Sequence, residues 1–192
     1  MVETTSLVGD DPVAASHATA GNAIPGLTVP LFAAMIADIA WWRIAEGLLF
    51  HRLKKRPLLF MAMKASGLGN LHRGPAAKVV AKSARDMARH LDALDAELAR
   101  SGGPWTLGDA FSLADVGWVP IFDRLEEADS LHCFLGAGRR PHATAYWERL
   151  RARPSYREAI AGHVHPAVVR GTKRLRAAKQ ASPALRAALE PV

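Results

Sequence analysis

The sequence predicts an all-α protein, a helical bundle of six or seven helices. Apolar residues recur at helical spacing along the segment that Pro75 opens. The run Gly108-Asp-Ala-Phe-Ser-Leu-Ala-Asp-Val-Gly-Trp118 reads as a helix start. No stretch alternates β-branched with polar residues as a half-buried strand would.

The helix start is the clearest local signal. Ser112 stands at the N-cap and Asp115 three residues on, so each side chain can satisfy a backbone N–H that the first turn leaves without a partner. Asp115 also places a negative charge where the helix dipole favours it. Phe111 before the cap and Val116 at the fourth helical position form a candidate hydrophobic staple. Phe111, Ser112, Asp115 and Val116 are therefore read as folding residues rather than as carriers of chemistry.

Length and composition suit one domain with a tail: 192 residues, 49% of them hydrophobic. The net charge is +7, and the segment from His163 onward holds six Lys or Arg against one Glu, so the basic excess is concentrated there. One cysteine, Cys133, excludes an internal disulfide and a Cys-based metal cluster and fits a reducing, cytoplasmic setting. It is read as a small, partly buried hydrophobe. Residues 1–26 lack the basic and apolar regions of a secretory signal and are read as a poorly ordered lead-in.

From Leu27 the chain is apolar for about two dozen residues, broken by Asp38, Arg43 and Glu46. With Lys54 these fall on one side of a helical wheel, which predicts an amphipathic, mostly buried helix and no membrane span. Pro30 suits its first turn and Pro57 ends it by about Arg56, giving a length of roughly 40 Å. Trp41, Trp42 and Phe50 on this helix can line a ligand pocket or pack a core. Arg43 can hold an anion or pair with Glu46. Pro57 to Met63 is a second, short apolar segment, and Gly67, Gly69 and Gly74 mark a loop without a phosphate-loop signature.

The helix opened by Pro75 carries Val80, Ala84, Met87, Leu91, Leu94 and Leu98 on one stripe and ends at Gly102-Gly103. The capped helix follows to about Glu127, with Pro120 inside it predicting a kink. After a loop around Cys133 and Gly136-Ala-Gly138, Pro141 opens a helix whose inward face is Ala143, Tyr146, Trp147 and Leu150. A short helix after Pro154 points Tyr156 and Ile160 inward.

The ordered set of Trp105-Thr-Leu-Gly-Asp-Ala-Phe-Ser-Leu-Ala-Asp-Val, Pro141, Tyr146-Trp147-Glu-Arg149-Leu150 and Ala152-Arg-Pro-Ser-Tyr-Arg-Glu-Ala-Ile160 resembles the C-terminal helical domain of the glutathione S-transferases. The Arg-Pro-Ser-Tyr-Arg ending and its long extension are similar to bacterial glutathione-dependent transferases and dehalogenases. Members of the family carry a thioredoxin-like domain of about 80 residues that binds glutathione, and here residues 1–26 precede the helices. The resemblance thus implies no catalytic residue in this chain, and glutathione as a co-substrate only with a thioredoxin-like partner domain. It implies that the first long helix lines the pocket for an electrophilic or halogenated small molecule, with Asp38, Trp41, Trp42 and Arg43 as the substrate-binding candidates. It also implies a homodimer through the first two long helices. The other reading is a non-catalytic helical module that binds an apolar ligand or a protein partner.

Other chemistries find little support. His163-Val-His165 could be half of a metal site but has no third ligand near it in sequence, so no metal is expected. The basic tail, with Arg170, Lys173, Arg174, Arg176 and Lys179, is read as a solvated helix face. It lacks the aromatics of a single-strand nucleic-acid binder and the bulky anchors of a membrane-surface helix. The organisation expected is a lead-in over 1–26, a helical domain over 27–162 and a basic helical tail over 163–192.

Overall fold

A computed structural model describes residues 20–50, 52–53 and 55–190, which form eleven α-helices and three short 3-10 turns and no strand. The chain is all-helical, in more pieces than six or seven because the apolar segment from Leu27 bends, the expected lead-in and the loop around Cys133 each hold a helix, and the tail is two helices. Residues 20–26, expected in the lead-in, belong to α1 (Ala20–Leu27), whose Ala20, Ala23 and Leu27 are core residues. Residues 1–19 lie outside the described residues.

Helix α1 passes almost directly into α2 (Val29–Ile36), since the Thr28 hydroxyl donates to Ile24 O and Pro25 O at 3.0 and 3.1 Å. The single long helix expected over residues 27–56 is not formed. Instead the axis turns by 119° between residues 20–36 and α3 (Trp41–Phe50), and Pro57 lies in the first turn of α4 (Lys55–Ser66) rather than at a helix end. The cause is tertiary. Lys64 of α4 donates to Ile36 O and Ala37 O at 3.3 and 2.8 Å, satisfying carbonyls that would otherwise continue the helix. Asp38 is meanwhile drawn to Arg174, far along the chain. Asp38, Arg43 and Glu46 therefore do not share one helical face, and Lys54 lies outside the described residues. Among the described residues no single helix is long and apolar enough to cross a membrane.

A 3-10 turn at Leu68–Arg73 leads into α5 (Pro75–Ser101), the axis of the fold. Its stripe Val80, Ala84, Met87, Leu91, Leu94 and Leu98 is buried throughout, and Gly102 ends it in the left-handed conformation at φ 67° that glycine adopts freely. Helix α6 (Leu113–Glu127) runs through Pro120 without interruption. The expected loop around Cys133 contains α7 (Leu131–Leu135) and a 3-10 turn at Gly136–Gly138. Helices α8 (Pro141–Ala152), α9 (Pro154–Ala159), α10 (Pro166–Ala181) and α11 (Pro183–Leu189) complete the chain.

Two apolar clusters result. The larger joins α1, α5, α6, α7 and α8 around Phe122, which stacks on Trp147 with ring centroids 5.2 Å apart. Arg140, 7% exposed, ties α8 to α5 and α7 by donating to Asp92 Oδ1 at 2.8 Å and Phe134 O at 2.6 Å. The smaller cluster joins Leu31, Ala33 and Ala34 of α2 to Leu175 of α10 and Leu185 and Leu189 of α11. The C-terminal segment thus supplies Leu175, Leu185 and Leu189 to a core, and three of its cations are paired rather than simply solvated: Arg174 to Asp38, Arg176 to Asp129, and Lys179 to Asp129 and Glu190.

Candidate functional site

The bend between α2 and α3 and the hairpin of α3 with α4 form the face where the four substrate-binding candidates fall. Asp38 sits in the bend itself. Its Oδ1 accepts from Arg174 Nη2 at 2.5 Å, and Arg170 Nε lies 3.6 Å from Oδ2. The hydrogen bond from Arg174 holds the Asp38 carboxyl below its ordinary range. Arg174 also donates to Ala34 O at 2.6 Å, so Asp38 serves to fasten α10 to the bend.

Trp41 and Trp42 open α3 and are 48% and 60% exposed. Arg43 lies over the Trp42 ring, 4.2 Å from its centroid, and Lys64 Nζ lies 5.5 Å from the centroid of Trp41. Each indole therefore has an open surface and a cation beside it. The strip continues along the hairpin through Leu49, Phe50, Leu58 and Leu59, each more than half exposed. Helices α3 and α4 each bury one residue, Ile44 and Pro57. So large an apolar surface is the mark of a contact face.

The structure brings Trp41, Trp42 and Arg43 together and directs Asp38 to the tail. Lys64 and the exposed leucines of α4 were not legible as part of this face. The signal available was the apolar run from Pro57 to Met63, whose outward orientation depends on the bend. Among the described residues of this face, none forms a pair of nucleophile and base. They offer stacking surface and positive charge, which suit a planar, electron-poor or anionic aromatic ligand.

The capping residues lie elsewhere, in the larger core. Ser112 N donates to Asp115 Oδ2 at 2.7 Å, and Ala114 N donates to Ser112 Oγ at 3.3 Å. Fully buried Asp115 also accepts from Thr106 N at 3.0 Å, Thr106 Oγ1 at 2.9 Å and Tyr146 OH at 2.8 Å. Phe111 packs edge-on to Trp105 at 5.0 Å with Arg153 3.6 Å from its ring centroid, while Val116 is 47% exposed. The expected staple partner is thus replaced by Trp105 and Arg153. Burial and the Asp115 hydrogen bond both raise the Tyr146 pKa far above its ordinary value, which keeps the hydroxyl a donor.

The description of the glutathione S-transferase C-terminal domain matches residues 40–154. Glutathione S-transferase 3 of Zea mays is 34% identical over 128 residues, which are 67% of this chain and 54% of the relative. The tetrachloro-p-hydroquinone reductive dehalogenase of Sphingobium chlorophenolicum is 35% identical over 83 residues, 43% of this chain and 32% of the relative. The 2,5-dichlorohydroquinone reductive dechlorinase of Sphingobium indicum is 46% identical over 68 residues, 35% of this chain and 19% of the relative. The chain spans about half, or less, of the length of these curated relatives. No solved structure matches it. The match over the helices from the α2–α3 bend to the start of α9 places this chain in the glutathione S-transferase family, within its C-terminal helical domain.

Proposed function

We propose that this chain is the co-substrate-binding and contact half of a glutathione-dependent enzyme that acts on electrophilic or halogenated aromatics. The observation that carries the reading is the open apolar strip of α3 and α4 with Trp41 and Trp42 at its head. In this arrangement the indoles stack on the aromatic co-substrate while Arg43 and Lys64 attract a phenolate or other electron-rich substituent. The glutathione thiol and the residues that activate it come from a thioredoxin-like domain that covers the remainder of the strip. Two of the relatives are dehalogenases of chlorinated hydroquinones, which supports this substrate class. The family's cytoplasmic setting and homodimeric assembly are taken over with the reading.

Equilibrium dialysis of the full chain with tetrachlorohydroquinone under reducing conditions tests it. Saturable binding that weakens at least about tenfold in the W41A/W42A double variant is the expected outcome. Binding that the double substitution leaves unchanged, or none at all, contradicts the assignment.

The second reading, a non-catalytic helical module for an apolar ligand or protein partner, draws on the same exposed strip.

A further inference from the structure

Away from the α3–α4 face, three residues of unlike chemistry converge where α7 meets the end of α11. His132 and Cys133 are neighbours on α7, and Glu190 is the residue that closes α11. Their positions are fixed by backbone bonds, Cys133 N donating to Ser130 O at 3.0 Å and Glu190 N to Arg186 O at 2.9 Å. Cys133 Sγ lies 3.5 Å from His132 Nε2, and His132 Nε2 lies 3.3 Å from Glu190 Oε1. The three ligand atoms all fall within 4.8 Å of one another.

Those separations have a definite meaning in coordination chemistry. A tetrahedral Zn2+ with nitrogen and oxygen at about 2.0 to 2.2 Å and sulfur at about 2.3 Å requires ligand-to-ligand edges of about 3.3 to 3.6 Å. Both measured pairs lie in that interval. A thiolate, an imidazole and a carboxylate are also the donor types that a borderline-soft divalent ion prefers over Mg2+ or Ca2+.

We propose that His132, Cys133 and Glu190 form a three-ligand site for a thiophilic divalent cation, Zn2+ above all. His132 and Glu190 open onto a cavity of about 170 Å³, walled also by Asp129, Arg176, Lys179 and Arg186, from which water or a small anion would complete the coordination. The metal enters from the side of His132, whose side chain is 53% exposed, and meets Cys133 at the buried end.

The site has a built-in competitor. Lys179, 4% exposed, places its ammonium 3.0 Å from Glu190 Oε1 and 3.2 Å from Asp129 Oδ2. Arg186 Nε lies 3.1 Å from the other Glu190 oxygen. When the metal binds, Glu190 Oε1 exchanges Lys179 for the ion, and Lys179 retains Asp129. The Cys133 thiol gives up one proton as the metal–sulfur bond forms, so the ion, thiolate and carboxylate sum to zero charge. Bound metal links α7 to the chain end and holds α10 and α11 on the core.

Titration of the full chain with Co2+ tests the site, because cobalt reports its ligands optically. The expected result is one equivalent bound with the intense visible bands of tetrahedral cobalt and a near-ultraviolet thiolate charge-transfer band, both displaced by Zn2+. In C133S the charge-transfer band disappears. In H132N, at an exposed position that spares the fold, affinity drops at least about tenfold. K179M tightens binding, which a merely structural cluster would not show. The double variant H163N/H165N binds as the parent does. A pale octahedral spectrum, a charge-transfer band that persists in C133S, or loss of the spectrum only in H163N/H165N overturns the proposal. Far-ultraviolet dichroism of each variant confirms that its helices are intact.

Discussion

Asp115 is a fully buried carboxylate whose hydrogen bonds join the loop before α6, the α6 cap and α8. It accepts five hydrogen bonds, two each from Thr106 and Ser112 and one from Tyr146, at a position with no exposure to water. Removing the carboxylate leaves buried donors without partners, so D115A is expected to lower the unfolding free energy by about 3 to 4 kcal/mol. S112A loses the cap on Ala114 N and the hydroxyl donor to Asp115 but keeps the Ser112 N–H, and is expected to lower it by less, about 1 to 2 kcal/mol. Urea titrations of the two variants measure the difference. Burial by itself would raise the Asp115 pKa, but the donors from Thr106, Ser112 and Tyr146 outweigh it and the net shift is downward. A folded pKa below the unfolded value of about 3.9 means that the contribution is present above about pH 4 and is lost as pH falls through the folded value. The stability gap between the parent and D115A is therefore expected to narrow in acid. The Ser112 half of this network is legible in sequence because its partners are three residues apart. Thr106 and Tyr146 are not, since nothing local tells a threonine or a tyrosine which carboxylate it will meet.

At the scale of elements, the helices that follow the sequence pattern are those whose stability comes from one continuous stripe. The α5 stripe from Val80 to Leu98 and the α8 face from Ala143 to Leu150 are buried as their periods predict. The segment from Leu27 departs from its pattern because Lys64 and Arg174 act on it from 27 and 136 residues away. No proline or glycine lies between Ala37 and Ala40 to mark the bend. Close helix approach is likewise encoded by residues that look unremarkable. A Cβ on Gly26 would stand 2.1 Å from Ser83 Oγ and 2.9 Å from Ser83 Cβ, so the close approach of α1 to α5 at this point requires glycine. On Gly171 it would stand 2.6 Å from Met35 Cγ, a flexible side chain that can yield. G26A is expected to destabilise by about 1 to 3 kcal/mol and G171A by less, as thermal or urea unfolding would read.

At the scale of the whole molecule, the two clusters and the open hairpin divide the labour. The clusters hold α5 and the C-terminal helices as a scaffold, and α3 with α4 stands on it with its apolar side exposed. Fold class and family were legible in the sequence, because helical period, capping and the ordered run from Trp105 to Ile160 are properties of the chain itself. The candidate site was legible only in part. Trp41, Trp42 and Arg43 stand on the open face, whereas Asp38 is claimed by α10 and Lys64 joins the indoles only through the bend. In the proposed division of labour, the helical domain provides the co-substrate and contact surface while glutathione is held by a thioredoxin-like domain. Titration calorimetry with glutathione checks this, on the chain by itself and on the chain joined behind a thioredoxin-like glutathione-binding domain. The expected result is no saturable heat for the chain alone and binding in about the micromolar to millimolar range for the joined protein. Saturable glutathione binding by the chain alone would contradict it, since the helices would then hold a glutathione site of their own.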